Sequence, residues 1–137
     1  LAVALDEERQ LRRHARGVIA GDALLEVPDA PAVADAVNAL DAQLRDWWPP
    51  QRRHVDARYA TLAFPFAPIE LERFDMTAAW SAEALIGYVS TWSAVSRYRA
   101  ANDDDPIPAF AAAVERVWGR ASTHTVYWPL TLRAGRV

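Results

Sequence analysis

The stretch Thr123-His-Thr-Val-Tyr-Trp-Pro-Leu-Thr-Leu-Arg133 decides the fold, because large apolar side chains recur in it at every second position. Residues with a period of two lie on one face of a β-strand. Pro129 has no N–H to donate to a neighbouring strand, so it predicts a bulge or a locally unpaired stretch. The segment therefore predicts a strand in which Val126, Trp128, Leu130 and Leu132 alternate with the residues between them.

The segments before this strand alternate between helical and strand patterns. Apolar residues recur at helical spacing in four of them, which predicts helices at residues 2–15, 32–47, 81–100 and 107–118. Strands are predicted at 69–80 and at 18–27, the latter as two short strands or one broken strand. This order predicts an α/β fold with few strands and packed helices.

Composition bounds the class of protein. The chain has 137 residues, 52% hydrophobic and 24% charged, which is enough for one domain with an apolar core. The net charge of −3 does not favour binding of a nucleic acid, which is itself negatively charged. No apolar stretch approaches the roughly 20 residues that cross a bilayer, so neither a nucleic acid nor a membrane is expected as a partner. The sequence predicts a cytoplasmic protein.

Sequence motifs that carry chemistry are missing. There is no cysteine, and His14, His54 and His124 lie too far apart in sequence to suggest a metal site. The five glycines form neither a dinucleotide-binding loop nor a P-loop. The run Asp103-Asp104-Asp105 lacks the spacing of a calcium loop and is typical of a helix-capping loop. No catalytic, cofactor-binding or metal-binding residue is therefore assigned.

Six tryptophans are many for a chain of this length. Most tryptophans belong to a core, but some line ligand pockets together with a few polar groups. Trp92 is the best pocket candidate, because Ser90, Thr91, Ser93 and Ser96 surround it in the sequence. The alternative is that these small side chains only permit close packing of helices.

Four ordered segments together resemble one family. They are Trp48–Tyr59, Leu62–Phe66, Gly87–Tyr98 and Val126–Arg133. They resemble the C-terminal region of class I S-adenosylmethionine-dependent methyltransferases, and within that class the group similar to trans-aconitate methyltransferase. The resemblance covers residues 32–137, and residues 11–20 look like the helix and fifth strand that follow the family's cofactor site.

The resemblance implies a Rossmann-like sheet that ends in an antiparallel hairpin, formed here by the strand near Ile69–Met76 and the final strand. The family's glycine-rich loop and the acidic residue that holds the cofactor ribose would lie upstream of Leu1. Residues 1–137 are therefore expected to be a single domain, the C-terminal portion of a methyltransferase domain without its cofactor-binding half. S-adenosylmethionine is expected as the cofactor of a full-length parent, none is expected for this chain alone, and the chain alone is expected to be inactive.

The resemblance also implies a small-molecule methyl acceptor, such as a carboxylate. Matching the family's motifs residue by residue gives Trp48, Arg53, Trp92 and Tyr98 as candidate walls of the acceptor pocket. Arginine can hold a carboxylate with two parallel hydrogen bonds. The competing interpretation of Arg53 is an ordinary surface arginine.

Two alternatives stay open at this stage. The chain can be a complete small binding or interaction protein descended from that half, in which a symmetric homodimer covers the exposed sheet edge. It can also be an unrelated α/β domain with coincidental motifs. The coding sequence upstream of Leu1 separates the first alternative from the methyltransferase fragment.

Overall fold

The computed structural model describes residues 17–22, 24–72 and 75–136, with no side chains given for 17–22. The strands are β1 (Gly17–Asp22), β2 (Ala67–Ile69), β3 (Asp75–Trp80) and β4 (His124–Arg136). The helices are α1 (Pro31–Gln43), α2 (Arg52–Asp56), α3 (Ala82–Ser90), α4 (Ser93–Ala101) and α5 (Ile107–Val117), with a 3₁₀ turn at Arg45–Trp47. The predicted helix at 2–15 lies outside the described residues, as does Phe74 of the predicted strand at 69–80.

Strand β4 is the centre of the sheet. It is 13 residues long and pairs antiparallel with β1 on one edge and with β2 and β3 on the other. Met76 lies opposite Trp128, so the predicted antiparallel pairing of the strand near Ile69–Met76 with the final strand is confirmed. Glu26 adds an isolated bridge to Tyr127 next to β1, which fits the broken strand predicted at 18–27.

The predicted strand at 69–80 is two strands, whose registers on β4 differ by one residue. Ile69 lies opposite Ala134, whereas Asp75 lies opposite Pro129, the last position of the β3 pairing. An offset of this kind is what a β-bulge introduces. The single continuous strand predicted here is therefore wrong, and the interruption falls immediately beyond Pro129.

The helices cover one face of β4. Both α1 and α3 pack against α5, and Val126 and Trp128 of β4 meet them with almost no exposed surface. The predicted mixed α/β fold with packed helices is confirmed. The fully buried helical side chains include Val33 and Val37 of α1, Leu85 and Val89 of α3, Val95 of α4 and Val114 of α5. None of the described helices is long and apolar enough to cross a membrane.

The helix predicted at 81–100 is in fact two helices, and the break lies at Thr91-Trp92. The hydroxyls of Ser90 and Thr91 donate to the carbonyl oxygens of Gly87 and Tyr88 at 2.6 Å, which satisfies carbonyls at the end of α3. Trp92 then has an extended backbone (φ −58°, ψ 136°) and precedes α4. The prediction of one helix is therefore wrong, because the chain leaves helical geometry at Trp92.

The start of β4 is fixed by Asp29 in the loop before α1. Its carboxylate accepts from the backbone N–H of Thr125 at 3.2 Å, and the His124 ring lies 3.5 Å away. The Thr125 N–H, aided by His124, lowers the pKa of the Asp29 carboxyl below its ordinary value. The other ring nitrogen of His124 lies 2.9 Å from the carbonyl oxygen of Trp118, so His124 links this loop to the end of α5.

Candidate functional site

A cavity of about 200 Å³ lies between the segment after β1, the turn after α1 and the α3–α4 junction. The described residues of its walls are apolar or aromatic apart from one guanidinium and one phenol. Pockets for small organic ligands have this composition, with few polar groups that fix orientation. The lining residues are Leu24, Leu25, Trp48, Arg52, Val55, Tyr88 and Trp92.

Trp48 is held in place from two sides. Its indole N–H donates to Oδ1 of Asp41, on the last turn of α1, at 2.8 Å. Its ring lies 5.3 Å from the ring of Trp92. The backbone of Trp48 is extended (φ −66°, ψ 143°), as expected for a residue that precedes a proline. The sequence Trp48-Pro49-Pro50 therefore ends the helical run and places this indole at the cavity.

Arg52 stacks on Trp48 and supplies the positive charge of the cavity. Its guanidinium carbon lies 4.3 Å from the centroid of the Trp48 ring, and its side chain is only 18% exposed. Its Nε donates to Oδ1 of Asp56, one turn later in α2, at 2.8 Å. Its Nη2 lies 3.8 Å from Oδ1 of Asp41, beyond hydrogen-bond distance. The Nη groups thus make no hydrogen bond to a described residue and can receive an anion.

Tyr88 and Trp92 connect the cavity to the core. The Tyr88 ring lies 5.1 Å from Trp80 and 5.8 Å from Trp128, so it extends an aromatic cluster that reaches β4. Trp92 is 8% exposed and belongs to the core while it also lines the cavity. The hydroxyls of Ser90 and Thr91 are bound to the α3 backbone. Trp92 is therefore both a core residue and a cavity wall.

The structure brings together two of the four predicted site residues, Trp48 and Trp92. Arg53 is exposed and lies outside the cavity lining, where its neighbour Arg52 takes the expected place. Tyr98 also lies outside the lining, with its ring 5.6 Å from that of Trp47. Its hydroxyl donates to Asp104 at 3.0 Å, and that hydrogen bond raises the pKa of the Tyr98 hydroxyl.

Arg52 is the residue that sequence reasoning missed. The helix that carries it, α2, is only five residues long, so no apolar period distinguishes its two adjacent arginines. One signal was present: Asp56 follows Arg52 by four residues, the spacing of an ion pair on a helix. That spacing favours an ordered side chain at Arg52 over Arg53.

The acidic loop is a helix cap, as predicted. Oδ1 of Asp105 accepts from the backbone N–H of Ile107 at the start of α5, and Oδ2 binds Arg99 at 2.8 Å. The Arg99 guanidinium lowers the pKa of the Asp105 carboxyl. Across residues 17–22, 24–72 and 75–136, no group of histidine and acidic side chains is arranged to hold a metal ion.

Comparison with solved structures relates the chain to a methyltransferase. No family model matches the chain, and no curated protein matches it. A solved structure, described as "a putative type II methyltransferase from Anaeromyxobacter dehalogenans", matches with a TM-score of 0.78 and 36% sequence identity over 87% of this chain. The chain is similar to a methyltransferase. The predicted resemblance is confirmed at this level, whereas the trans-aconitate group and class I stay predictions.

The methyltransferase-like chain spans about half the length of that relative, since the match covers 51% of it. The described residues that line this cavity do not fit S-adenosylmethionine. That cofactor carries a sulfonium cation and a ribose diol, yet the cavity lining contains a guanidinium and no carboxylate. At about 200 Å³ the cavity is also below the usual range of roughly 300–1,000 Å³ for ligand pockets. We therefore assign no step of methyl transfer through the cofactor to these residues.

Proposed function

We propose that this chain is the acceptor-binding part of an S-adenosylmethionine-dependent methyltransferase, and that its cavity holds a small carboxylate. One observation carries the proposal: the Arg52 guanidinium is largely buried and stacked on Trp48 at an apolar cavity. Its Nη groups are not hydrogen-bonded to a described residue. A guanidinium in that position offers a carboxylate two parallel charge-assisted hydrogen bonds.

The composition of the cavity suits a carboxylate acceptor. A carboxylate is already ionised at neutral pH, so it needs no general base to become a nucleophile. The described part of the lining agrees with this, because it contains no histidine, aspartate or glutamate. The protein's part is then to orient one carboxylate oxygen and to exclude water from it. Arg52 would fix the acid group, while Trp48 and Trp92 would hold the body of the acceptor.

The proposal also assigns cofactor binding to the part of such a methyltransferase that lies outside the matched region. The relative is about twice as long as the matched region, and the cavity described above does not suit the cofactor. We therefore expect the 137-residue chain alone to bind acceptor acids, to show no saturable binding of S-adenosylmethionine and to be inactive as an enzyme.

Replacing Arg52 by glutamine is expected to weaken carboxylate binding about tenfold or more, because hydrogen bonds to a charged partner contribute about 1.5–3 kcal/mol. Isothermal titration calorimetry with benzoate measures this directly. Benzamide, which has the same shape without the charge, should bind more weakly than benzoate to the unmodified chain. Its affinity should change little in the variant.

Arg53→Gln is the matched control for this prediction. It removes the same charge from the adjacent, exposed position and should leave benzoate affinity within about twofold, because surface charges separated by solvent interact weakly. Benzoate and benzamide binding equally well to the unmodified chain would contradict the carboxylate site. So would a loss in Arg53→Gln that equals the loss in Arg52→Gln.

A further inference from the structure

We propose that the cavity is selective for a monoanion, meaning an acceptor with one carboxylate on a small apolar body, and that Asp41 sets this selectivity. The proposal rests on the proposed function and deepens it. Its basis is the charge around Arg52. Asp41 and Asp56 flank the guanidinium, so its positive charge is already partly balanced before any ligand enters.

Asp41 cannot turn away from the cavity without losing a hydrogen bond. Its Oδ1 accepts the indole N–H of Trp48 at 2.8 Å, and the same oxygen lies 3.8 Å from Nη2 of Arg52. The Asp41 side chain is 30% exposed, whereas that of Asp56 is 62% exposed and better screened by water. Asp41 is therefore the fixed negative charge that an incoming anion meets.

The first carboxylate of a ligand and the second meet different surroundings. The first can form direct hydrogen bonds to the Nη groups of Arg52, which offset its loss of hydration and the repulsion from Asp41. The second finds no other cation among the lining residues that the structure describes, because the rest of that wall is aliphatic or aromatic. Burying an unpaired carboxylate there is costly. The cavity wall thus favours a ligand with one carboxylate over a ligand with two.

The size of the cavity also favours a small ligand with one carboxylate. A cavity of about 200 Å³ is smaller than most pockets for organic ligands, which hold roughly 300–1,000 Å³. Its lining includes the neighbouring rings of Trp48 and Trp92, 5.3 Å apart between centroids and tilted by 48°. An aromatic ligand can pack on these indole rings in an offset-stacked or an edge-to-face arrangement. The acceptor class that fits best is a small aryl or unsaturated monocarboxylic acid.

Calorimetry on the 137-residue chain tests this with three ligands on one ring. They are benzoate, isophthalate with both carboxylates ionised, and the monomethyl ester of isophthalate, which has the size of the dianion and one charge. Isophthalate should bind about tenfold more weakly than its monomethyl ester, as expected for one extra charge a few ångströms from Asp41. Equal or tighter binding of isophthalate would overturn the proposal. Equally weak binding of the ester would also overturn it, because size and not charge would then discriminate.

Asp41→Asn tests whether Asp41 causes the preference for a monoanion. Asparagine keeps an Oδ1 acceptor for Trp48 but removes the charge, so the preference for ester over dianion should shrink at least about threefold. Asp35→Asn, on an exposed position of the same helix, loses the same charge and should keep the preference unchanged. An unchanged preference in Asp41→Asn would refute the role of Asp41. If benzoate binds no better than benzamide, the carboxylate site itself fails, which is a different outcome.

Discussion

Trp92→Ala is expected to lower the free energy of unfolding by about 3–5 kcal/mol, the usual cost of truncating a buried tryptophan. Trp92 is 8% exposed and packs within the core cluster. It also lies at the break between α3 and α4, where its extended backbone turns the chain. Whole domains are stable by only about 5–15 kcal/mol, so this loss should be visible as a large fall in the urea midpoint.

Trp48→Ala is the matched comparison, because the two indoles lie in contact and both line the cavity. Trp48 is only partly buried, so its removal should cost less than half as much stability as the removal of Trp92, while benzoate affinity still falls. If the free energy of unfolding of Trp92→Ala lies within about 1 kcal/mol of that of the unmodified chain, the assignment of Trp92 to the core is contradicted. A change of that size is typical of a surface substitution. The pair separates a residue that supports the fold from one that serves the cavity.

Gly135→Ala is expected to destabilise the chain by about 1–3 kcal/mol, the usual cost of overpacking. A Cβ at this position would lie 2.5 Å from Cβ of Phe66, 2.9 Å from the backbone oxygen of Ala67 and 2.9 Å from the Phe64 ring. The segment cannot move away easily, because Nη1 of Arg133 donates to the carbonyl oxygen of Tyr59 at 2.6 Å. The glycine is required by the close approach of two backbones.

Gly87→Ala is the control for that substitution. Gly87 lies on the exposed side of α3, and a Cβ there meets nothing within 4 Å. Alanine should stabilise the helix by up to about 1 kcal/mol, because it has the higher helix propensity. Thermal unfolding of both variants gives the comparison. A Gly135→Ala variant as stable as the unmodified chain would show that the β2–β4 contact is looser than described.

The parts of the fold that local patterns determine were predictable. Strand β4 follows from its period of two, and α1 and α5 follow from apolar residues three and four apart. The break at Trp92 was not predictable in this way. Serine and threonine hydroxyls can bind their own helix backbone or remain solvated, and the sequence does not show which of the two occurs. Whether the helix ends here depends on whether burial of the Trp92 ring stabilises the chain more than continuation of the helix would. Tertiary packing decides that, and a window of sequence does not contain it.

The site was only half predictable for a related reason. Motif resemblance identified Trp48 and Trp92, which both line the cavity. It also identified Arg53, one residue away from the arginine that stacks on Trp48. In a one-turn helix a shift of one residue turns a side chain by about 100°, so Arg52 lines the cavity whereas Arg53 is exposed to solvent. Side-chain contacts such as that between Asp41 and Trp48 resolve the choice.

Methyl transfer itself tests the central claim most directly. The assay follows labelled methyl from S-adenosylmethionine to small aryl monocarboxylic acids, with the 137-residue chain and with any longer, extended protein that its open reading frame encodes. We expect an ester product with the extended protein and none with the chain alone. Transfer by the chain alone, or an initiation codon at Leu1, would contradict the account. So would an extended protein that binds S-adenosylmethionine but methylates no carboxylic acid.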